Sequence, residues 1–256
     1  MPRKPTLSPT RISTYLDCAL KYRFTYIEGL GRYYRRARPS LSFGATLHNV
    51  LQQFHQGGEE ATLPQVQETY AERWISAGYT SAEQETEFRE AGETALQTYY
   101  ESMQERAEIG AVTLCVEKTL SCDMGEYRLS GRVDRIDEFP DGSLEVVDYK
   151  SGRSSVTSEE VASDLAMSIY QLLAKRNYPG RPIRATIIAL RTGDYASARM
   201  SEEDATQFEQ ELNRIAAEIL HRDFSDEVPQ RKPACDRCDF LPRCAPYLDR
   251  DPYFVD

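Results

Sequence analysis

An α/β domain, with a sheet flanked by helices, is the fold class this sequence predicts, and three observations predict it. Apolar residues recur at helical spacing in the first 56 residues. From residue 112 the period changes to the alternation of strands, in segments rich in β-branched and aromatic residues. Beyond residue 157 helical and strand patterns alternate again. At one domain per ~150 residues, a chain of 256 has room for one large domain or two small ones. No internal repeat, low-complexity tract or obvious linker divides it, so the expectation is one domain over residues 1–256 whose two ends carry cysteines.

In chain order, Ser8-Pro9 is a capping residue followed by a first-turn proline, and Ile12, Tyr15, Leu16, Ala19 and Leu20 then mark a helix over 8–28. Residues 1–38 thus form a basic N-terminal helix and loop. A second helix, 44–56, carries Leu47, Val50, Leu51 and Phe54 on one stripe. Residues 57–110 read as a helical insertion, with polar helices at 64–76 and 82–107. The central part, 112–221, holds strands at VTLCVEKTLS, 126–139, 143–150 and 183–190, with helices at 158–177 and 201–221. The tail, 224–256, is rich in proline and cysteine and has no clear periodicity.

Composition narrows the function classes. Hydrophobic residues at 40% and charged residues at 28% suit a globular chain. No apolar run approaches the ~20 residues of a membrane-spanning helix, and the first residues lack a signal-peptide core. The expectation is a cytoplasmic protein without membrane contact. A net charge of −10 argues against non-specific coating of nucleic acid, which depends on neutralising phosphates. The charge is uneven, however. Residues 1–38 hold nine Lys/Arg against Asp17 and Glu28, which makes the segment +7 and leaves −17 for the other 218 residues. Tyr15, Tyr22, Tyr26, Tyr33 and Tyr34 lie among these cations, a mixture that can stack on single-stranded bases; a solvated basic terminus is the plainer alternative.

The turn Pro140-Asp141-Gly142 suits a three-residue hairpin loop with glycine left-handed. Its register pairs Phe139 with Ser143, and therefore Asp134 with Asp148. Opposed carboxylates lie ~5 Å apart at Cβ and repel, so a cation is expected between them. Lys150 is on the same face as Asp148, as are Val146 and Leu144. Hard oxygen ligands suit Mg²⁺ or Mn²⁺, which activate water and stabilise phosphoryl charge. The alternative is a cross-strand Asp–Lys–Asp ion network. His48 borders the stripe of its helix, where a satisfied border residue is the plainer reading, and Glu117 reads as an exposed strand glutamate.

Cys235, Cys238 and Cys244 form C-x2-C-x5-C, a spacing for metal ligands in a reducing compartment. Zinc and a cubane cluster both take four ligands. The candidates for the fourth are Cys18, Cys115, Cys122 and His221, and Cys115 and Cys122 read as buried small apolar residues of a strand.

Taken in order, LSPTRISTYLDCALKYRF, FGATLHNVLQQFH, GRVDRID, EVVDYKSG and the terminal C-x2-C-x5-C resemble the PD-(D/E)XK nuclease superfamily, in its RecB-like branch with an iron–sulfur cluster. That branch includes the AddB nuclease domain, exonuclease V and the CRISPR adaptation exonucleases. The resemblance implies a restriction-endonuclease-like core with a mixed central sheet, and a metal-dependent DNA nuclease. It implies a single-strand-preferring exonuclease in DNA repair, recombination or CRISPR adaptation, with proteins of those pathways as partners. It assigns His48, Asp134, Asp148 and the Tyr149 carbonyl as metal ligands, Lys150 as the catalytic lysine, and Tyr170 as the tyrosine of a Gln-x-x-x-Tyr motif. It also assigns Cys18, Cys235, Cys238 and Cys244 to a [4Fe–4S] cluster joining the two ends of the chain. The chain departs from the pattern at Ala166, where the family usually has glutamine. A DNA-binding or scaffold protein that lost the chemistry is the alternative this departure raises.

Overall fold

The computed structural model describes residues 4–58, 60–108 and 110–248. The elements are β1 (Thr6–Leu7), α1 (Pro9–Asp17), α2 (Ala19–Tyr22), a π-helical turn (Arg23–Ile27), α3 (Gly31–Tyr34), α4 (Pro39–Gln56), α5 (Leu63–Arg73) and α6 (Ala82–Glu108). They continue with β2 (Val112–Asp123), β3 (Arg128–Glu138), β4 (Leu144–Lys150), α7 (Ser158–Ser163), α8 (Leu165–Asn177), β5 (Ile183–Ala189), β6 (Tyr195–Ala198), α9 (Glu202–His221), a 3₁₀ turn (Pro233–Arg237) and α10 (Leu241–Leu248). No helix among the described residues is long and apolar enough to cross a membrane. Two compact units result: one takes the chain up to Thr6 and Ala37–Gln210, the other Leu7–Arg36 and the chain from Glu211.

The first unit is built on a mixed sheet in the order β1-β3-β4-β5-β6, with β2 paired to β3. The β3–β4 hairpin has the expected register: Arg135 opposes Val147, Ile136 opposes Val146, and the Phe139 N–H donates to the Ser143 carbonyl. Gly142, at φ 81°, supplies the left-handed turn residue. The β4 strand runs parallel to β5 through the α7–α8 crossover, so its residues from Leu144 to Tyr149 are all buried. Val147 and Tyr149 join the core that Phe43, Leu47, Leu51 and Leu96 supply from α4 and α6. Met167 of α8 packs with Ala185 and Ile187 of β5 in a second cluster. A fold of α/β class with helices on a mixed sheet is thus present.

Several boundaries differ from the sequence reading for local reasons. The expected helix 8–28 breaks at Cys18, whose backbone is extended (φ −164°) and whose sulfur accepts the Lys21 N–H, restarting the helix as α2. The helix expected at 158–177 divides at Asp164, whose side chain caps α8 by accepting from the N–H groups of Ala166 and Met167. The tail, which shows no periodicity in sequence, forms a 3₁₀ turn and α10. Cys115 and Cys122 are half-buried rather than buried.

Two glycines let elements approach closely. A Cβ at Gly44 of α4 would lie 2.9 Å from the Ser151 hydroxyl. One at Gly131 of β3 would lie 2.8 Å from the Tyr170 ring and 3.0 Å from Leu173, both on α8. Gly131→Ala should therefore destabilise the protein by about 1–3 kcal/mol, the usual cost of overpacking, as read from urea unfolding; an unchanged midpoint would show that α8 moves aside freely.

Candidate metal centre

Strand pairing places three carboxylates on one line across neighbouring strands. The β3–β4 ladder ends with Arg135 opposite Val147, so Asp134 and Asp148 stand side by side just past its last pair. The β2–β3 register, with Val116 opposite Arg135 and Lys118 opposite Val133, continues to Glu117 opposite Asp134. Like charges opposed across strands are destabilising, and each of the three is met by a cation or donor. Lys150 Nζ lies 2.6 Å from Asp148 Oδ2. Arg132 Nε lies 2.5 Å from Glu117 Oε2. Asp134 sits between them, with one oxygen accepting the Tyr149 N–H at 2.8 Å and the other 3.4 Å from His48 Nδ1.

The His48 side chain projects from α4 so that its other nitrogen, Nε2, lies 3.1 Å from the Tyr149 carbonyl. Both its partners accept hydrogen bonds, so both nitrogens donate only in the imidazolium form. Its pKa is raised accordingly: burial opposes the charge, but the Asp134 hydrogen bond and carboxylate, with Asp148 and Glu117, outweigh it. Burial raises the Asp148 carboxyl, with Asp134 adding to it and Lys150 opposing. Burial and Asp134 likewise raise Glu117 against the pull of Arg132. Burial works against the Lys150 ammonium, yet Asp148 leaves its pKa raised. The crowded carboxylates of the metal-free centre are thus balanced by the Lys150 ammonium, the Arg132 guanidinium and an imidazole that takes up a proton more readily than usual.

These donors fit a divalent cation. One ligand atom each from His48, Glu117 and Asp134 lies within 4.8 Å of the others. Carboxylate oxygens, a carbonyl and an imidazole are the donor set of Mg²⁺ or Mn²⁺. A groove of about 450 Å³ between α4 and the sheet opens over them, lined in part by Asn49, Gln52, Arg132 and Ser151. Sequence reasoning had assigned Glu117 no task. The signal against that is conformational: Glu117 is the one non-glycine residue with positive φ (51°) among the described residues. Left-handed backbone costs an L-residue about 1–2 kcal/mol.

A buried polar network supports the centre from below. Arg135, fully buried, pairs through Nε with Asp137 at 2.9 Å. Its Nη1 lies 2.7 Å from His55 Nε2 and 2.9 Å from the Tyr149 hydroxyl, and also meets the Tyr99 hydroxyl. Tyr149 is thereby held at its ring while its carbonyl faces His48. Tyr170 reaches the same region from α8: burial raises its phenol, and Asp148 and Asp134 raise it further. Ala166 brings no polar group, and Gln171 does not replace the missing glutamine. It is buried, with its side-chain oxygen accepting the Met200 N–H at 2.9 Å.

In the second unit Cys18, Cys235, Cys238 and Cys244 line one cavity of about 50 Å³. Its apolar wall includes Leu20, Phe24 and Phe240. All four thiols are free of disulfides. Burial and the other three cysteines raise the Cys244 thiol. Backbone N–H groups of Lys21 and Lys232 donate to the sulfurs of Cys18 and Cys235 at 3.4 and 3.3 Å. The stacking role expected of the N-terminal tyrosines needs correction: Tyr15 and Tyr22 are buried against Phe224, and Tyr34 packs on Phe240. Tyr33 is well exposed, with Arg32 over its ring, and Arg35 and Arg36 are exposed. Arg3 lies outside the described residues.

The family model of the PD-(D/E)XK nuclease superfamily matches residues 6–245. No curated protein matches the chain. A solved structure from Eubacterium rectale, described as "Putative exonuclease", is similar with a TM-score of 0.54 and 11% identity, over 98% of this chain and 90% of that one. The structure of SSO0001 aligns with a TM-score of 0.40 and 12% identity, over 97% of this chain and 89% of that one.

The raised pKa of His48 sets a pH dependence. A proton must leave the ring before a nitrogen can bind a cation, and the folded pKa lies above the ordinary 6.5. Mn²⁺ affinity, measured by calorimetry, should therefore be full above that raised value and begin to fall while the pH is still above about 6.5. An affinity flat from pH 8 to about 6 would contradict the protonation described for His48.

Proposed function

The chain belongs to the PD-(D/E)XK nuclease superfamily, and from that premise we propose that it is a metal-dependent deoxyribonuclease, a cytoplasmic exonuclease preferring single strands or single-stranded ends. The observation that carries this reading is the cluster of carboxylates, with Lys150 beside Asp148 and His48 beside Asp134, where His48, Glu117 and Asp134 line an open groove.

His48, Asp134, Asp148 and the Tyr149 carbonyl would hold Mg²⁺ or Mn²⁺, with Tyr149 fixed through its ring by Arg135. When bound, such an ion supplies a water of lowered pKa and neutralises charge on the phosphoryl oxygens. The residues do the rest. Asp148 holds the Lys150 ammonium at 2.6 Å, which keeps it charged and aimed at the reacting atoms. There it orients the attacking water and donates to the developing charge on the phosphoryl oxygen. Tyr170, brought close by Gly131, lines the side of α8 that faces the carboxylates, as a contact for water or substrate. The "Putative exonuclease" description of the similar Eubacterium rectale protein supports the exonuclease reading. Ala166 favours the weaker alternative, a DNA-binding protein of little activity, because the usual glutamine contact is missing.

In the second unit we assign Cys18, Cys235, Cys238 and Cys244 to a [4Fe–4S] cluster, the mark of the RecB-like branch. Two features support it: four free thiols around one cavity and N–H donors to two sulfurs. The biological setting we propose is DNA repair, recombination or CRISPR adaptation.

Cleavage of single-stranded oligonucleotides and plasmid with Mn²⁺ or Mg²⁺ tests the activity. Asp134→Ala, Asp148→Ala and Lys150→Ala should each lose it at least about a hundredfold with unchanged circular dichroism; an Asp148→Ala protein cutting at the wild-type rate would refute the assignment. Anaerobically purified protein should be brown, and Cys18→Ala should bleach it while Cys115→Ala should not. A colourless protein with one zinc and no sulfide would replace the cluster by zinc. Charge reversal at Arg32, Arg35 and Arg36 should weaken DNA binding and flatten its salt dependence, and an unchanged slope would leave these residues to solvent.

A further inference from the structure

The proposed function employs His48, Asp134, Asp148 and Lys150 and gives Glu117 nothing to do. Yet Glu117 completes the carboxylate row on the β2 side, with ligand atoms of His48 and Asp134 within 4.8 Å. Its backbone is left-handed inside a strand, where glycine would fit without strain and glutamate does not. A strained conformation is kept where the side chain has a task. One partner holds it now. Arg132, two residues before Asp134, pairs with Glu117 at 2.5 Å, and its side chain remains 59% exposed at the groove.

We propose that Glu117 is a further ligand of the divalent cation, and that Arg132 is the counter-cation it gives up when that ion binds. This rests on the reading of the site as a metal-dependent phosphodiesterase. A carboxylate between an arginine and a cation site can serve either, and a divalent ion with hard-oxygen preference competes well for it. The exchange leaves the Arg132 guanidinium at the groove wall, where its planar fork matches a phosphate. Loading the centre would in this way expose a phosphate contact beside it, so the ion and the substrate are taken up in order.

The test is Mn²⁺ affinity in the absence of nucleic acid, by calorimetry and by loss of the free-ion electron paramagnetic resonance signal. It compares the wild type with Glu117→Gln, Glu117→Gly, Arg132→Gln and Asp134→Asn, each with its melting temperature. Glu117→Gln and Glu117→Gly should weaken Mn²⁺ by at least about tenfold, no less than the loss of an outer-shell partner. The glycine variant should melt no lower than wild type, since it relieves the backbone. Arg132→Gln should bind Mn²⁺ as tightly as wild type or more so. If both Glu117 variants bind like wild type while Asp134→Asn does not, Glu117 only pairs with Arg132 and the proposal fails. If Arg132→Gln weakens the ion as much as Glu117→Gln does, Arg132 positions the carboxylate and the exchange is wrong. Wild-type affinity in Asp134→Asn as well would overturn the metal reading itself, and this proposal with it.

Discussion

Three negative charges set side by side across β2, β3 and β4 are the constraint to which the rest of the first unit answers. Cross-strand repulsion and partial burial both oppose such a row. Each carboxylate is therefore tied to a positive or donating group: Lys150 for Asp148, His48 and the Tyr149 N–H for Asp134, Arg132 for Glu117. The tie to His48 needs α4 close to the end of β4, which Gly44 permits; Gly131 separately lets α8 pack close to β3. The ties also need β4 held still at Tyr149, which the buried Arg135 network does. The fold keeps together charges that would otherwise separate, and the donors it gathers fit a divalent cation.

Much of this could be read from the chain alone, because it follows from local chemistry. Pro140-Asp141-Gly142 fixes a hairpin length, the length fixes a register, and that register, holding to Arg135 opposite Val147, brings Asp134 and Asp148 side by side just beyond it. The strands of the sheet and the helix of His48 follow from hydrophobic period. Glu117 was hidden for a physical reason. Its place beside Asp134 depends on the β2–β3 register, which a one-residue shift between Thr113 and Cys115 alters. Its inward side chain depends on a left-handed backbone that strand alternation does not express. The strand β6 and the tail helix α10 were missed because both are short and carry little periodic signal.

The second unit illustrates the opposite case, in which a break in the pattern carries the information. Apolar spacing from Ile12 to Leu20 suggests a continuous helix, but Cys18 leaves helical geometry and caps the next segment with its own sulfur. The interruption turns the thiol toward Cys235, Cys238 and Cys244, more than ~200 residues away in sequence, where loop closure is entropically expensive. Tyr15 and Tyr22, which look like a nucleic-acid surface in sequence, instead form the core of this unit with Phe224. Of the described arginines in residues 1–38, Arg32, Arg35 and Arg36 are the exposed ones.

The claim on which everything here rests is that the carboxylate row exists to hold a divalent ion. Anomalous diffraction from crystals soaked in Mn²⁺ addresses it without relying on activity. The account predicts one strong peak at bonding distance from Asp134, with His48 and the Tyr149 carbonyl around it. Data that place no manganese there at saturating concentration, with Lys150 and His48 still paired to Asp148 and Asp134, would contradict it.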